Sequence, residues 1–294
     1  MAWCELSGYS LGMSRSVSLL QGFGPADLHL DPCPHIVLKN ALPAQLCDEL
    51  RSTFPSLESQ GVDPTADNKR WSTPARVGIT MPNLSSLWKQ LLEYHISQAF
   101  LDQVLKVFSA SLISGFPKRF TNEALLRSQL AVPRSEENVP DNALALDAQI
   151  CGNTPVRTPG QPNKVHFDAT NALYAGLYYL RDDDDDSIGG DLQLWRWKSG
   201  YSYRKKSSEY NENIAPKHVE LVKTIPYKAN TFVLLLNGID SLHSVTCRES
   251  TTHTRKFVNV LADSADNLFT LNPLPHLRVR NTLRRRIRSR LNWR

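Results

Sequence analysis

The sequence predicts an α+β fold in which a helical N-terminal part precedes a two-sheet β jelly roll. Between about residues 43 and 135, apolar side chains recur at steps of three and four, as they do in amphipathic helices. From about Ala143 the pattern changes to short runs of β-type sequence separated by Gly, Pro, Asn and Asp. Eight such runs within about 120 residues, after a helical part, are typical of a jelly roll that forms one domain.

The helical part contains three amphipathic segments. The first begins at Pro43 and places Leu46, Leu50 and Phe54 on one face. The second follows Pro82 and continues as one pattern to Val104, and a weaker third covers residues 122–130. Apolar stripes of this kind indicate helices that pack against a sheet.

The eight predicted strands are LALDAQI, KVHFD, LYAGLYYL, GDLQLWRW, HVELVKTI, TFVLLLN, HSVTC and RKFVNVLA. Five consecutive aspartates, residues 182–186, separate the third strand from the fourth and predict a solvated turn; a calcium site is the alternative. Gly189 and Gly190 precede the fourth strand, where we expect the backbone to bend sharply or to approach another segment closely.

Composition excludes several classes of protein. The sequence has no apolar stretch of about 18 residues and no basic N-terminal segment followed by an apolar run, so we expect a cytoplasmic protein without a membrane span. Five cysteines without paired spacing predict neither a disulfide framework nor a Cys-rich zinc site. The net charge of +5 belongs to residues 278–294, which contain eight arginines and no acid, so the rest of the chain is not a basic nucleic-acid-binding domain.

Three residues form a candidate metal centre. Residues i and i+2 of a strand point to the same face, so His166 and Asp168 in KVHFD would both face the interior of the jelly roll. His243 comes after the buried run TFVLLLN and supplies a second imidazole. Two histidines and one carboxylate form the facial triad of non-haem iron(II) oxygenases, which leaves coordination positions open for reactants. His166, Asp168 and His243 are therefore the candidate catalytic and metal-ligating residues.

A candidate anion clamp follows the third ligand. Arg255 stands twelve residues after His243, at the start of the last predicted strand, and the period of two places Phe257, Asn259 and Leu261 on its face. A guanidinium at this position could bind the remote carboxylate of a dicarboxylic co-substrate bidentately. Lys256, the next residue, is the alternative clamp.

Taken with these elements, the sequence resembles the iron(II)- and 2-oxoglutarate-dependent oxygenases, and among them the prolyl-4-hydroxylase-like branch. The matching motifs are HFD, YYL, GGDL, LHSV and TRKFVNV, within residues 145–262. The resemblance implies a double-stranded β-helix, which is a cupin-like jelly roll, with Fe(II) held by the triad. It further implies that 2-oxoglutarate is the co-substrate, bound at Arg255, Tyr179 and Asn259, and that ascorbate supports turnover.

The resemblance implies a dioxygenase that hydroxylates an unactivated C–H bond with release of succinate and CO2. Halogenating relatives carry a small residue at the carboxylate ligand, so Asp168 favours hydroxylation; desaturation or ring closure would use the same ligands. With no separate peptide-binding domain evident, we expect a small-molecule substrate alongside dioxygen. The alternatives are a peptidyl-prolyl 4-hydroxylase-type protein modifier and a cupin-like metal-binding sensor without turnover.

We expect residues 1–30 to form an N-terminal extension and residues 31–275 a single oxygenase domain. Within that domain, helices mainly in residues 43–135 would form a buttress for a β-helix core at about residues 143–262. Residues 276–294 would be a basic tail. The tail could contact nucleic acid or an anionic membrane surface, but we favour packing of its apolar stripe on the domain.

Overall fold

The structure is a computed structural model, and it describes residues 17–134, 139–201 and 214–269. Much of the predicted N-terminal extension and the whole basic tail lie outside the described residues. No helix within these three ranges combines the length and the apolar character needed to cross a membrane.

Six α-helices lie in the N-terminal half of the described chain. They are α1 (Ala44–Ser52), α2 (Ala75–Gly78), α3 (Ser86–His95), α4 (Gln98–Val107), α5 (Ser109–Gly115) and α6 (Glu123–Arg127). The single helical pattern predicted from Pro82 to Val104 is wrong in one respect, because it forms two helices. Ser97 caps the second of them by accepting a hydrogen bond from the Phe100 N–H at 3.4 Å, so the chain turns between α3 and α4.

Two strands precede the helices in the sequence, one lies between α1 and α2, and the others follow α6. The strands are β1 (Leu28–His29), β2 (His35–Lys39), β3 (Arg70–Thr73), β4 (Leu130–Pro133), β5 (Ala143–Asn153), β6 (Ala172–Tyr179), β7 (Leu192–Trp197), β8 (Val219–Ile225), β9 (Thr231–Leu236), β10 (Leu242–Val245) and β11 (Arg255–Ser264). Seven of the eight predicted strands correspond to β5–β11. The prediction for KVHFD is wrong, because this segment forms only an isolated bridge between His166 and His243.

The strands form two sheets. The larger sheet has the order β1-β2-β9-β6-β11-β5-β3, with β4 paired to β5 in parallel, and the smaller has the order β10-β7-β8. The other strand pairs are antiparallel. Apolar residues of both sheets, including Leu192 and Leu194 of the smaller and Val233 and Phe257 of the larger, form one buried cluster. This two-sheet arrangement confirms the predicted jelly-roll core.

The helices cover the other face of the larger sheet. Trp88 and Leu91 of α3 belong to the same buried cluster as Ala148 and Ile150 of β5. Gly176 of β6 lies in this layer, where an added Cβ would come within 2.8 Å of Val260 Cγ2. The larger sheet therefore has one face buried under helices and one face turned toward the smaller sheet, where the candidate site lies.

The aspartate run connects β6 to β7. It contains a turn in which Asp183, Asp184 and Asp186 are exposed, as predicted, but the prediction of a solvated turn is wrong for Asp185. Asp182 pairs with Lys256, Asp183 pairs with Arg51, and Asp186 lies 3.7 Å from His253 Nε2. Asp185 is buried, and its Oδ1 accepts a hydrogen bond from the Ser187 N–H at 2.8 Å. The run thus attaches the β6–β7 connection to α1, β11 and the loop before β11.

The two glycines after this run have the expected special backbone. Gly189 and Gly190 adopt φ values of +87° and +83°, which side-chain-bearing residues rarely adopt. A Cβ on Gly189 would lie 1.7 Å from the Cys247 carbonyl oxygen, so no side chain fits there. The pair lets the chain enter β7 in close contact with the segment after β10.

Candidate metal centre

The three predicted ligands come together between the two sheets. One ligand atom from each of His166, Asp168 and His243 lies within 4.8 Å of the other two. Asp168 Oδ1 is 3.9 Å from His166 Nε2 and 3.8 Å from His243 Nε2. Among the described residues, this is the one cluster of His, Cys, Asp or Glu with metal-binding spacing.

Backbone pairing aligns the two histidines. The His166 N–H donates to the His243 carbonyl at 3.0 Å, and the His243 N–H donates back to the His166 carbonyl at 2.8 Å. Residues that exchange two such bonds send their side chains to the same side, and the ring centroids are 4.3 Å apart. Asp168 stands two residues after His166 on the same segment, so its carboxylate points to the same side as the two imidazoles.

Hydrogen bonds and burial prepare both imidazoles to bind a metal. The Nδ1 of His166 is 2.6 Å from the Lys164 carbonyl, and that of His243 is 2.9 Å from the Ser241 carbonyl. A carbonyl only accepts, so each Nδ1 carries the proton and each Nε2 keeps its lone pair. Burial, assisted by the neighbouring His243, lowers the pKa of His166 to about 4. Two imidazole nitrogens and one carboxylate oxygen suit non-haem iron(II).

The triad opens onto a cavity of about 400 Å³. Apolar walls come from both sheets and include Leu177, Leu192, Val233 and Leu235. The polar lining side chains are Asn68, Arg70, Arg134, Gln149, Asn153, Asn163, Arg255, Asn259 and Asp263. A cavity that combines apolar walls with polar and charged groups beside a metal-binding cluster could hold a small polar molecule.

Arg255 is buried in the wall of this cavity with part of its guanidinium unpaired. Its side chain is 3% exposed, and its Nε donates to the Gly190 carbonyl at 2.9 Å. Its Cζ lies 5.2 Å, 5.1 Å and 4.8 Å from the ring centroids of Tyr179, Tyr227 and Phe257. Nη2 is buried without a hydrogen-bond partner in the described part of the chain. Buried donors are normally paired, so this N–H group fits an anionic ligand.

The other predicted co-substrate residues lie in different positions. Asn259 lines the cavity, and its Nδ2 donates to Gln149 Oε1 at 3.4 Å. Tyr179 is fully buried behind Arg255 rather than on the cavity wall, and its hydroxyl has no partner within the described ranges. Burial raises the pKa of that hydroxyl, although Arg255 opposes the effect. Lys256 points to the other face of β11, where it pairs with Asp182 and lies over the Phe54 ring.

Arg248 is a buried residue next to the site that sequence reasoning missed; it supports the cavity without lining it. Its side chain is 1% exposed and donates to Asn68 Oδ1 at 2.9 Å, to the Thr154 carbonyl at 3.0 Å and to the His253 carbonyl at 3.0 Å. Burial and the nearby Arg255 lower its pKa to about 10. Arg248 therefore joins three segments around the cavity, and nothing in its sequence neighbourhood distinguishes it from an exposed loop arginine.

No protein-family model matches this chain, and no curated protein does. Several solved structures are distantly similar to this chain. A Pseudomonas putida prolyl-4-hydroxylase is 13% identical, with 78% of this chain and 92% of that chain covered and a TM-score of 0.41. For prolyl 4-hydroxylases from Phytophthora capsici the identity is 15%, the coverage 92% and 71%, and the TM-score 0.43. For the alpha-ketoglutarate-dependent carbocyclase SnoK of nogalamycin biosynthesis the values are 14%, 83%, 85% and 0.43.

Proposed function

We propose that the protein is an iron(II)- and 2-oxoglutarate-dependent dioxygenase that hydroxylates an unactivated C–H bond of a small molecule. One observation carries the proposal. The His166, Asp168 and His243 cluster shares a cavity with Arg255, whose buried guanidinium has an unpaired N–H group. A metal-binding sensor has no use for a second, cationic site in the same cavity.

The protein's part at the metal is to hold it from one side and to orient its ligands. When bound, iron(II) with 2-oxoglutarate and dioxygen supplies an oxidant able to hydroxylate an unactivated C–H bond, with succinate and CO2 as by-products. The two Nδ1–H···O=C bonds fix the orientation of His166 and His243 before any metal arrives. Asp168 would add the third ligand atom and one negative charge, and a set of only three protein ligands would leave coordination positions for exogenous ligands.

The protein's part at the co-substrate is to bind the remote carboxylate in a dry environment. Aromatic rings of Tyr179, Tyr227 and Phe257 surround the Arg255 guanidinium and exclude water from it. A charge-assisted hydrogen bond is stronger in such surroundings than in water. A carboxylate would also give Arg255 Nη2 the acceptor it lacks.

The size of the cavity supports a small substrate. About 400 Å³ must hold both 2-oxoglutarate and the group that is oxidised, and ligand sites of about 300–1,000 Å³ are usual for small molecules. A peptide would have to insert one side chain and leave the rest outside. An experiment must therefore distinguish a small-molecule hydroxylase from a peptidyl-prolyl modifier.

The test begins with metal binding and ends with product analysis. Purified protein should bind Fe(II) anaerobically, and under air with 2-oxoglutarate and ascorbate it should form succinate even without substrate. Metabolite pools would then be screened by mass spectrometry for gains of one oxygen. If succinate formed only with a proline-containing peptide, the protein-modifier reading would replace ours. If iron bound but no succinate formed under any condition, the sensor reading would replace it.

A further inference from the structure

We infer that the primary substrate of this site carries a carboxylate and that Arg70 binds it. The inference rests on the proposed function and deepens it by naming the substrate class. Arg70 is at the start of β3, it lines the cavity, and it was not among the residues predicted from the sequence.

Strand pairing places Arg70 in one row with Arg255. Arg70 of β3 pairs with Asn153 of β5, and Asn153 pairs on its other side with Arg255 of β11. Directly opposed residues of antiparallel strands face the same side, and all three line the cavity. Adjacent strands lie roughly 4.8 Å apart, so the backbones of the two arginines are about 10 Å apart. The two guanidinium groups can therefore serve two different anions in one cavity.

Arg70 and Arg255 are the arginines of the cavity lining that no described carboxylate neutralises. Within the described residues the Arg70 guanidinium makes no ion pair; its contacts are with Cys151 Sγ at 3.8 Å and with the Phe257 ring at 5.9 Å. By contrast, Arg134 in the same lining pairs with Asp263 at 2.8 Å.

The acidic groups near the cavity are committed elsewhere. Asp147 Oδ1 accepts from the Ala75 N–H at 2.9 Å, and its Oδ2 accepts from Gln149 Nε2 at 2.8 Å. Asp168 is a ligand of the candidate metal centre, and Asp263 pairs with Arg134. Once 2-oxoglutarate neutralises Arg255, one unpaired positive charge remains, at Arg70.

Asn153 adds a neutral donor beside this charge. Its side chain is 3% exposed and lines the cavity, and it makes no side-chain hydrogen bond to any described residue. A guanidinium with an adjacent amide donor matches the two oxygens of a carboxylate. A phosphate ester carries a further negative charge, for which this end of the cavity offers no second cation, so the carboxylate is the better match.

The experiment measures binding and does not depend on turnover. Full-length protein would be loaded with Zn(II) and 2-oxoglutarate, which cannot react together, and titrated calorimetrically. The probes are a set of small carboxylic acids that includes the twenty L-amino acids, each paired with its primary amide, and a matched set of phosphate monoesters. We expect at least one acid to bind and its amide to bind much more weakly.

Variants locate the contact. Arg70→Gln should weaken binding of that acid by about tenfold, since the residue is exposed and part of its charge is screened. It should leave the affinity for 2-oxoglutarate unchanged. Arg127→Gln removes an exposed arginine that pairs with Glu123, away from the cavity, and should change neither affinity.

The outcomes separate the inference from the function on which it rests. Failure of the protein to bind Zn(II) and 2-oxoglutarate would overturn the proposed function itself. If 2-oxoglutarate bound normally but no acid did, if acids and amides bound alike, or if phosphate esters were preferred, the carboxylate assignment alone would fall. Equal binding of the acid by Arg70→Gln and the parent protein would overturn the role of Arg70.

Discussion

Replacement of Arg255 by glutamine is the most direct test of the co-substrate site. Glutamine keeps the length needed to reach the Gly190 carbonyl, but it removes the positive charge and most of the N–H donors. The substitution therefore changes the interaction with an anion and little else in the packing of the site. We expect affinity for 2-oxoglutarate to fall while affinity for Fe(II) stays nearly the same.

The expected magnitude follows from the burial of the side chain. Arg255 is 3% exposed and enclosed by three aromatic rings, so solvent screens its charge weakly. Removing one partner from a buried, hydrogen-bonded charge pair costs about 2–5 kcal/mol. At about 1.4 kcal/mol for each factor of ten, the dissociation constant of 2-oxoglutarate should rise roughly 30- to 4,000-fold.

The adjacent residue provides a matched control. Lys256 stands next to Arg255 on β11 but points to the opposite face, where it pairs with Asp182. Lys256→Gln removes the same charge from the same strand and should leave 2-oxoglutarate binding within about twofold of the parent value, because the Lys256 side chain does not line the cavity. Binding would be followed by calorimetry on the metal-loaded protein, with Fe(II) affinity measured separately for each variant.

Two results would refute the reasoning. An Arg255→Gln protein that bound both Fe(II) and 2-oxoglutarate like the parent would show that Arg255 is not the clamp. A large loss of 2-oxoglutarate binding in Lys256→Gln with none in Arg255→Gln would move the clamp to Lys256 and contradict the orientation of β11.

Three further predictions concern the ligands, the pH response and the packing. His243→Ala should lose Fe(II) binding in an anaerobic titration while keeping the far-UV circular dichroism of the parent, since it removes one of three ligands. Burial lowers the pKa of His95 to about 4, so the unfolded state binds the proton first, and stability present above pH 6.5 is lost as the pH falls toward 4. Urea unfolding at pH 7 and pH 5 should differ by about 2 kcal/mol more in the parent than in His95→Gln. Gly176→Val should lower the free energy of unfolding by at least about 1–3 kcal/mol, because even a Cβ there comes within 2.8 Å of Val260 Cγ2.

The metal ligands could be predicted because their geometry is mostly local. His166 and Asp168 are two residues apart, and any extended segment sends such residues to the same side. That is why the prediction places them together even though KVHFD forms a single bridge and not a strand. Predicting His243 required a longer inference, namely that the segment after β9 lies beside the segment of His166. The two backbone hydrogen bonds between His243 and His166 hold these segments together.

Non-local pairing explains what the sequence did not reveal. Arg70 reaches the cavity only because β3 pairs with β5, which begins some seventy residues later in the chain, and a four-residue strand among helices has no periodic signal of its own. Arg248 looks like one more loop arginine until three separate segments supply its acceptors. The aspartate run is similar, because its partners Arg51, Lys256 and His253 come from distant elements.

Alternation also has limits within a correctly predicted strand. The family resemblance implied a co-substrate role for Tyr179, and Tyr179 does pair with Phe257 on the inner face of the larger sheet. Alternation cannot say how deep a side chain lies, and here the Tyr179 ring fills the core behind Arg255. The role left to Tyr179 is to enclose the guanidinium and to offer one buried hydroxyl beside it.

Depth also decides between the two arginines that share a row of the larger sheet. Arg255 and Arg70 both flank Asn153, so strand pairing alone would allow either one to bind the co-substrate. Arg255 is buried and surrounded by aromatic rings, whereas Arg70 is exposed at the rim. A ligand at the buried position must enter before the rim is occupied, and a ligand at the rim can exchange while the buried one stays. This order suits a common co-substrate held at Arg255 and a substrate that is selected at Arg70.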